Sequence, residues 1–246
     1  MKIILSGATG AMGHMVADQV QAYEDMEIVF GWADEPEQGG PFPMSDHLDE
    51  APAADVIIDF SNHTTLADLL AYARPRGLPL VIATTGHTEA EMALMEEAAK
   101  ELSIFHSGNF SLGVHVLKLL VRQAAKALPD FDIEIIEAHH HRKVDAPSGT
   151  AKMLLSAIQA ERPDSHVVSG REGHVGARPL DEIGVHAIRG GSIVGEHTVL
   201  LAGLDEMIEI KHTALSRAIF AKGALAAAQF IGQAQPGMYN MDDMIG

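Results

Sequence analysis

The 246-residue sequence contains no cysteine. This absence excludes a disulfide scaffold and a thiol nucleophile, and it fits a reducing compartment, so we expect a cytoplasmic protein. Basic residues are also scarce, with 17 Lys and Arg against 34 Asp and Glu and a formal net charge of −17. Because no stripe of cations exists to neutralise a row of phosphates, we expect no nucleic-acid partner. A local positive site can still bind a small anion.

Long hydrophobic runs are missing as well. The apolar run at residues 1–5 soon meets Gly7, and it is too short for a secretory signal or a membrane span. We therefore expect neither a targeting segment nor a membrane partner. The sequence has no internal repeat and no low-complexity linker. Its 47% hydrophobic content is enough to bury the core of one large or two modest domains.

A glycine-rich turn follows the first predicted strand, which covers residues 2–5. Gly7, Gly10 and Gly13 have the spacing G-x-x-G-x-x-G, and apolar residues from Met15 to Tyr23 then recur at helical spacing. Such a turn lets the backbone approach a pyrophosphate at the positive end of a helix, which predicts a dinucleotide site. The alternative is a tight glycine turn in another kind of α/β protein. The predicted cofactor contacts in this turn are Gly7, Ala8, Thr9, Gly10, Ala11 and Met12.

The residue after the second predicted strand bears on the choice of cofactor. That strand covers residues 27–33 and is followed by Asp34, whose carboxylate is placed to accept hydrogen bonds from ribose hydroxyls. Glu35 comes next, and no Lys or Arg occurs before Arg74 to neutralise a 2′-phosphate. We therefore predict a preference for NADH, with NADPH as the alternative if a distant basic side chain folds into this pocket.

Further strand–helix units continue the pattern. Strands are predicted at 55–60, 78–84 and 103–106, and the spacing of Thr88 and Glu91 predicts a capping box at the start of a helix. This alternation is typical of an α/β protein with a Rossmann-type, doubly wound parallel sheet. Two loops at strand ends are predicted to contact the nicotinamide half of the cofactor. Their residues are Ala83, Thr84 and Thr85 in one loop and Ser107, Gly108, Asn109 and Phe110 in the other.

The densest cationic block is residues 139–143, with the sequence His-His-His-Arg-Lys. It follows an alternating segment that starts at Asp132, so it lies at the end of a predicted strand, and a Pro-Ser-Gly-Thr turn follows it. Clustered positive groups next to such a turn predict an anion site. A solvated charged face is the plainer alternative. We predict no metal, because successive side chains of an extended chain point to opposite faces and no HExxH motif occurs.

The second half has a different pattern. Alternating segments between residues 130 and 214 predict a mixed or antiparallel sheet, and an Ala-rich helix is predicted from 216 to about 233. We expect that helix to return to the first domain. The predicted domains are residues 1–109 with 217–246, which bind the dinucleotide, and residues 110–216, an α+β domain for substrate binding and oligomerisation. Broad exposed sheet favours an oligomer.

These motifs together resemble the 4-hydroxy-tetrahydrodipicolinate reductase family, nicotinamide-dependent enzymes of the diaminopimelate route to lysine. The similarity is almost end to end. It is carried by the glycine turn, Thr84-Thr-Gly86, Asn109-Phe-Ser-x-Gly-Val114, Glu137-Ala-His-His-x-x-Lys-x-Asp-Ala-Pro-Ser-Gly-Thr150, Ser169-Gly-Arg-Glu-Gly-His174, Arg189-Gly-Gly-x-Ile-Val-Gly-Glu-His197 and Ser216-Arg-x-x-Phe-Ala-x-Gly-Ala224. By resemblance the chain is a homotetramer that reduces a small cyclic dicarboxylate.

The resemblance also implies residue roles. His139 and Lys143 take the proton-transfer roles, and Lys143 also binds a substrate carboxylate. His140, Ser148, Gly149 and Thr150 complete the substrate contacts. Two competing functions remain: another two-domain Rossmann-type reductase, which has no reason to carry the His-His-x-x-Lys and Ser-Gly-Thr motifs, and a non-catalytic nicotinamide sensor, which predicts a broken proton-donor set.

Overall fold

The structure is a computed structural model that describes residues 1–246. The strands are β1 (Lys2–Ser6), β2 (Glu27–Trp32), β3 (Met44–Ser45), β4 (Val56–Asp59), β5 (Leu80–Ile82), β6 (Ser103–His106), β7 (Asp132–His139), β8 (His166–Ser169), β9 (Glu182–Arg189), β10 (Gly195–Ala202), β11 (Met207–Ala214) and β12 (Gly237–Tyr239). The helices are α1 (Ala11–Val20), α2 (Leu66–Ala73), α3 (Glu89–Ala98), α4 (Leu112–Ala127), α5 (Gly149–Gln159), α6 (Ala218–Ile231) and α7 (Met241–Ile245). Short 3-10 turns cover Leu48–Glu50, His63–Thr65 and Arg74–Arg76.

The chain divides into two compact units, Met1–Leu112 with Arg217–Gly246, and Gly113–Ser216. The expected domain boundaries are 109/110 and 216/217. None of the helices combines the length and apolar character that crossing a membrane requires.

The first unit is built on a sheet of seven parallel strands in the order β3-β2-β1-β4-β5-β6-β12. The strand order reverses direction between β1 and β4, and in open α/β sheets ligands bind outside the carboxyl ends of the strands at such a point. This confirms the predicted doubly wound parallel sheet. The capping box at the start of α3 is also confirmed, because Thr88 and Glu91 exchange the expected hydrogen bonds.

Both faces of this sheet are buried, which explains why its strands are almost continuously apolar. One core joins side chains such as Ile3 and Leu5 of β1 with Leu225 and Ala228 of α6. The other core joins Ile4 of β1 with side chains of α2 and α3. Helix α6 therefore packs within the first unit.

The second unit has a five-stranded sheet in the order β11-β10-β7-β9-β8. β10 pairs antiparallel with β7 and β11, whereas β7 and β8 pair parallel with β9, so the sheet is mixed. One face packs against α4 and α5, whose Val121 and Leu154 lie in a core with Ile133 and Ile135 of β7. Helix α4 is absent from the sequence predictions, although its buried residues recur at helical spacing.

Candidate active site

The glycine turn lies between β1 and α1 and leaves no room for side chains at Gly7 and Gly13. Gly7 has φ +75°, and a Cβ atom there would lie 2.5 Å from the carbonyl oxygen of Phe60. At Gly13, a Cβ atom would lie 2.3 Å from the oxygen of Gly7. The N-cap of α1 is Gly10, which provides no side-chain cap. The first amides of the helix are therefore left for a ligand, and the turn fits a pyrophosphate.

A cavity of about 400 Å³ opens beside this turn. Of the predicted contacts, Gly7, Thr9, Gly10 and Asp34 line it. Its remaining lining residues are Ser6, Trp32, Ala33, Glu35, Phe60, Ser61, Asn62 and Thr65. No Lys or Arg side chain lines the cavity, whereas Asp34 and Glu35 do. Ala8 is instead buried in the core of the unit, at 1% exposure.

The other predicted cofactor contacts follow β5 and β6 at the same edge of the sheet. Thr84 is buried, and its hydroxyl has no hydrogen-bond partner, which leaves it available to a polar group of a ligand. The Ser107 hydroxyl donates to the Asn109 carbonyl at 2.8 Å, which shapes the second loop. Phe110 is buried: its ring packs against Phe105 in the core and its carbonyl lies against Gly223, so its side chain is not placed to meet a ligand.

In the second unit, three strands bring charged side chains to one end of the sheet. Ile133, Ile135 and Glu137 alternate along β7 on its buried face, and the Glu137 side chain is completely buried. Glu137 pairs in register with His197 of β10. His139, one pleat further along β7, pairs in register with Arg189 of β9.

The carboxylate of Glu137 accepts four hydrogen bonds. Oε1 accepts from Arg189 Nη2 at 2.7 Å and from the Ser148 amide at 3.0 Å. Oε2 accepts from Arg189 Nη1 at 2.7 Å and contacts His139 Nδ1 at 2.6 Å. Burial by itself would raise the pKa of Glu137, but these hydrogen bonds outweigh it and hold the pKa below its ordinary value. The carboxylate is therefore ionised at neutral pH.

His197 lies next to this group and stays neutral. Its Nε2 atom is 2.9 Å from the Ser148 hydroxyl, and its ring meets that of His139 edge-on with centroids 5.2 Å apart. Burial, together with the nearby His139, lowers the pKa of His197 to about 4. The imidazole of His197 thus carries no charge at pH 7 that would repel a cationic His139.

The turn after β7 carries the remaining predicted cations. Lys143 is partly buried and pairs with Asp145 at 2.7 Å, and this contact lowers the pKa of Asp145. His140 is partly buried, whereas His141 and Arg142 are exposed, and His141 Nδ1 bonds the Gly191 carbonyl at 3.0 Å. A ligand that displaces Asp145 would meet the Lys143 ammonium.

Helix α5 begins at Gly149, directly after this turn. Its N-cap is Ser148, whose hydroxyl accepts from the Ala151 amide at 3.2 Å. The amides of Gly149 and Thr150 lie in the first turn of the helix, where the helix dipole favours an anion. The imidazoles of His139 and His197, the ammonium group of Lys143 and the N-terminus of α5 therefore lie near one end of β7. This set of groups suits a ligand with carboxylate groups.

Several residues of these sites are not among the predicted site residues, although Glu137 and His197 belong to the motifs that carry the resemblance. Glu137 and His197 each continue the apolar period-two pattern of their strand, and an ionisable residue at such a position is the signal that identifies them. Ser61 and Asn62 lie in the loop after β4, the strand beside the reversal of strand order, so topology identifies them.

The strand order, the glycine turn and the acidic cavity define the first unit as a Rossmann-type dinucleotide-binding unit, and the chain as a two-unit protein built on it. Sequence comparison specifies the family. The N-terminal model of dihydrodipicolinate reductase matches residues 1–110, and the C-terminal model matches residues 113–245. The chain belongs to the dihydrodipicolinate reductase family.

Relatives match over nearly their whole length. A protein of Clostridium tetani named 4-hydroxy-tetrahydrodipicolinate reductase is 44% identical, with 100% of this chain and 97% of the relative covered. A protein of Exiguobacterium sp. with the same name is 47% identical, with 99% and 95% covered.

Solved structures share the fold. A dipicolinate-bound dihydrodipicolinate reductase from Paenisporosarcina sp. superposes with a TM-score of 0.83 at 22% identity, covering 100% of this chain and 99% of the other. A myo-inositol dehydrogenase from Corynebacterium glutamicum gives a TM-score of 0.61 at 17% identity, with 99% and 92% covered. At these identities the similarity concerns the fold alone.

Proposed function

We propose that this chain reduces 4-hydroxy-tetrahydrodipicolinate to tetrahydrodipicolinate in the diaminopimelate route to lysine. The reaction consumes one NAD(P)H and one proton and releases NAD(P)⁺ and water. The observation that carries the proposal is the set of polar groups at the end of β7 and the start of α5, in a chain that matches reductases of that name along its full length.

The substrate is a dicarboxylate, and the second unit offers two kinds of anion site for it. The Gly149 and Thr150 amides, at the N-cap provided by Ser148, suit one carboxylate. Lys143 and His140, in the turn after β7, suit a charged or polar group of the same ligand. Lys143 exchanges its Asp145 partner for the substrate in this scheme.

His139 and Lys143 are the proposed proton donors. Loss of the substrate's hydroxyl as water gives a conjugated imine. Reduction then adds a hydride to a ring carbon of that system, and an acid must supply a proton where negative charge develops. The His139 ring is fixed through Nδ1 by Glu137, so Nε2 is the nitrogen placed to exchange a proton. Lys143 provides a second acid four residues away. When bound, the reduced nicotinamide supplies the hydride.

The cofactor contacts proposed in the first unit are the glycine turn, Asp34 and the loops after β5 and β6. We propose that NADH is preferred to NADPH. The absence of Lys and Arg from the cavity lining supports this preference, and so does the pair Asp34 and Glu35, which repels a 2′-phosphate.

The preference is tested by comparing the Michaelis constants of the two cofactors, where an equal or lower value for NADPH contradicts it. Introducing a cation with Glu35→Arg is expected to lower the NADPH constant about tenfold, since a charge-assisted hydrogen bond contributes roughly 1.5–3 kcal/mol. The variant Glu24→Arg makes the same charge change at an exposed site outside the cavity and is expected to leave the ratio unchanged.

We also propose a homotetramer that assembles through the sheet of the second unit. Apolar side chains on its strands support this, since Met207 is 63% exposed, Ile188 50% and Ile208 38%. Light scattering coupled to size exclusion is expected to give the mass of four chains, and a monomer mass contradicts the proposal.

The reaction is tested with purified protein and substrate generated in situ from pyruvate and aspartate semialdehyde by the preceding synthase. Rapid, substrate-dependent oxidation of NADH or NADPH is the expected result. If neither cofactor is oxidised while NADH still binds, the assignment of substrate is wrong and other small imine or keto acids become the candidates.

A further inference from the structure

The β7 side chains that face the core end in a charged residue, Glu137. Ile133 and Ile135 precede Glu137 on the buried face of the strand, and a carboxylate at such a position carries a large desolvation penalty. An apolar residue would continue the core without that penalty. Glu137 therefore needs an account that goes beyond packing.

The hydrogen bonds of Glu137 determine the protonation pattern of His139. An ionised carboxylate only accepts hydrogen bonds, so the His139 Nδ1 atom that lies 2.6 Å from Oε2 must carry the hydrogen. In the neutral ring, Nε2 then has no hydrogen and is the basic nitrogen. Space is kept beside it, because a Cβ atom on Gly195 would lie 3.2 Å from Nε2.

The same carboxylate holds the start of the anion-binding helix. Its other oxygen, Oε1, accepts the Ser148 amide, and Ser148 is the N-cap of α5. Arg189 bridges both carboxylate oxygens and also donates to the Asp145 carbonyl at 2.7 Å. The position of His139 relative to the Gly149 and Thr150 amides is thereby set through one side chain.

We propose that Glu137 is the positioning residue of this site: it fixes His139 as the Nδ1–H tautomer and ties it to the N-terminus of α5. The functional consequence rests on the proposed reductase activity. Glu137 touches neither substrate nor cofactor in this proposal, and it acts through His139 and Ser148.

The variant Glu137→Gln tests whether Glu137 sets the tautomer of His139. Each carboxylate oxygen accepts one Arg189 donor and one other donor, so an amide NH₂ group faces Arg189 whichever way it is turned, and the second donor decides its orientation. The Ser148 amide cannot adapt, but a neutral imidazole can move its proton to Nε2 and accept from the NH₂ group. We therefore expect this variant to convert His139 to the Nε2–H tautomer.

The chain offers a matched control on the same strand. Glu134 of β7, like Glu137, bonds arginine and histidine side chains: Arg171 at 2.7 Å, Arg178 at 3.1 Å and His186 at 2.7 Å. These groups lie apart from the residues proposed to act on the substrate. The variant Glu134→Gln removes an equivalent charge from an equivalent network and is expected to lower stability without changing kcat.

The first readout is steady-state kinetics. Glu137→Gln is expected to lower kcat on the order of 100-fold or more, the contribution typical of a positioned acid, while KM for NADH is unchanged. Glu134→Gln is expected to keep kcat within about twofold of the unsubstituted protein. Equal kcat in Glu137→Gln and the unsubstituted protein overturns the proposal.

The second readout needs no turnover. Two-bond ¹H–¹⁵N correlation spectra at a pH where the imidazole is neutral report which nitrogen carries hydrogen, and the His139 signals are those missing from His139→Asn. We expect Nδ1–H in the unsubstituted protein and Nε2–H in Glu137→Gln. A drop in kcat with an unchanged tautomer overturns the proposal, because Glu137 then acts through structure alone.

Two further outcomes are also decisive. If Glu137→Gln does not fold, the spectrum of the unsubstituted protein still decides, since an Nε2–H tautomer there overturns the proposal. If the unsubstituted protein oxidises no cofactor with this substrate, the proposed function fails, whereas the tautomer of His139 continues to test the positioning role separately.

Discussion

Gly7 and Gly39 allow the steric demand of the glycine turn to be measured separately from its backbone conformation. Both have φ +75°, in the region that L-residues with a side chain rarely adopt. A Cβ atom on Gly39 would meet nothing within 4 Å, whereas one on Gly7 would lie 2.5 Å from Phe60 O and 2.9 Å from Ser61 Cα. Substitution by alanine therefore costs conformation alone at Gly39, and conformation plus overlap at Gly7.

The expected magnitudes follow from these distances. Forcing alanine into the left-handed region costs about 1–2 kcal/mol, so Gly39→Ala is expected to lower the free energy of unfolding by about 1 kcal/mol. At Gly7 the overlap is with backbone atoms, which cannot rotate away, and overpacking of this kind adds about 1–3 kcal/mol. Gly7→Ala is therefore expected to lose about 2–4 kcal/mol in total.

The assay is equilibrium urea unfolding of each variant. The chain has one tryptophan, Trp32, which lines the same cavity, so its fluorescence reports unfolding of the first unit. Loss of NADH affinity in Gly7→Ala but not in Gly39→Ala is expected as well. Unfolding free energies of the two variants within about 0.5 kcal/mol of each other would refute the reasoning, because the overlap would then have no energetic effect.

Three further predictions concern the second unit. Lys143→Ala is expected to lower kcat by orders of magnitude, while a fluorescence titration shows unchanged NADH affinity. Lys100 forms an exposed ion pair, and Lys100→Ala should change neither quantity. Burial would raise the pKa of Glu134, but its arginine and histidine partners hold that pKa at about 2, against an ordinary value of 4.5. Thermal unfolding at different pH should therefore show stability that is present above pH 4.5 and is lost as the pH falls towards 2. This loss should be smaller in Glu134→Gln. Gly195→Ala is expected to lower kcat without changing KM for NADH, because its Cβ atom crowds Nε2 of His139.

Local patterns were sufficient to predict most of the first unit. Strands β1, β4 and β5 are buried on both faces, and such strands are visible as short apolar runs between turns. Strand β12 has three residues and pairs with β6 far along the chain, so no local pattern marks it. Helix α4 is different, because its buried residues Val114, Leu117 and Val121 do recur at helical spacing and form a local pattern from which the helix can be predicted.

The motif at the end of β7 can be recognised from its charge density and its resemblance to a known family. The ion-pair partner of its first residue, Glu137, cannot be recognised in this way. Glu137 and Arg189 are 52 residues apart, and nothing between them marks their contact. The pairing arises because β7 and β9 are neighbours in a parallel register that places Arg189 beside His139. Register is a property of the assembled sheet and is therefore inaccessible to a pattern confined to one strand.

The contact between Glu137 and Arg189 also disfavours a register slip between β7 and β9. Side chains alternate between the faces of a strand, so a slip of one residue between β9 and β7 would move Arg189 to the opposite face and leave Glu137 buried without its cation. Breaking a buried ion pair in this way costs about 3–5 kcal/mol, comparable to a large part of the stability of a domain. The ion pair that orients His139 thus also selects the strand register that builds the site. Glu137 serves both roles, since in the correctly paired sheet Arg189 supplies two of the four hydrogen bonds that compensate its charge.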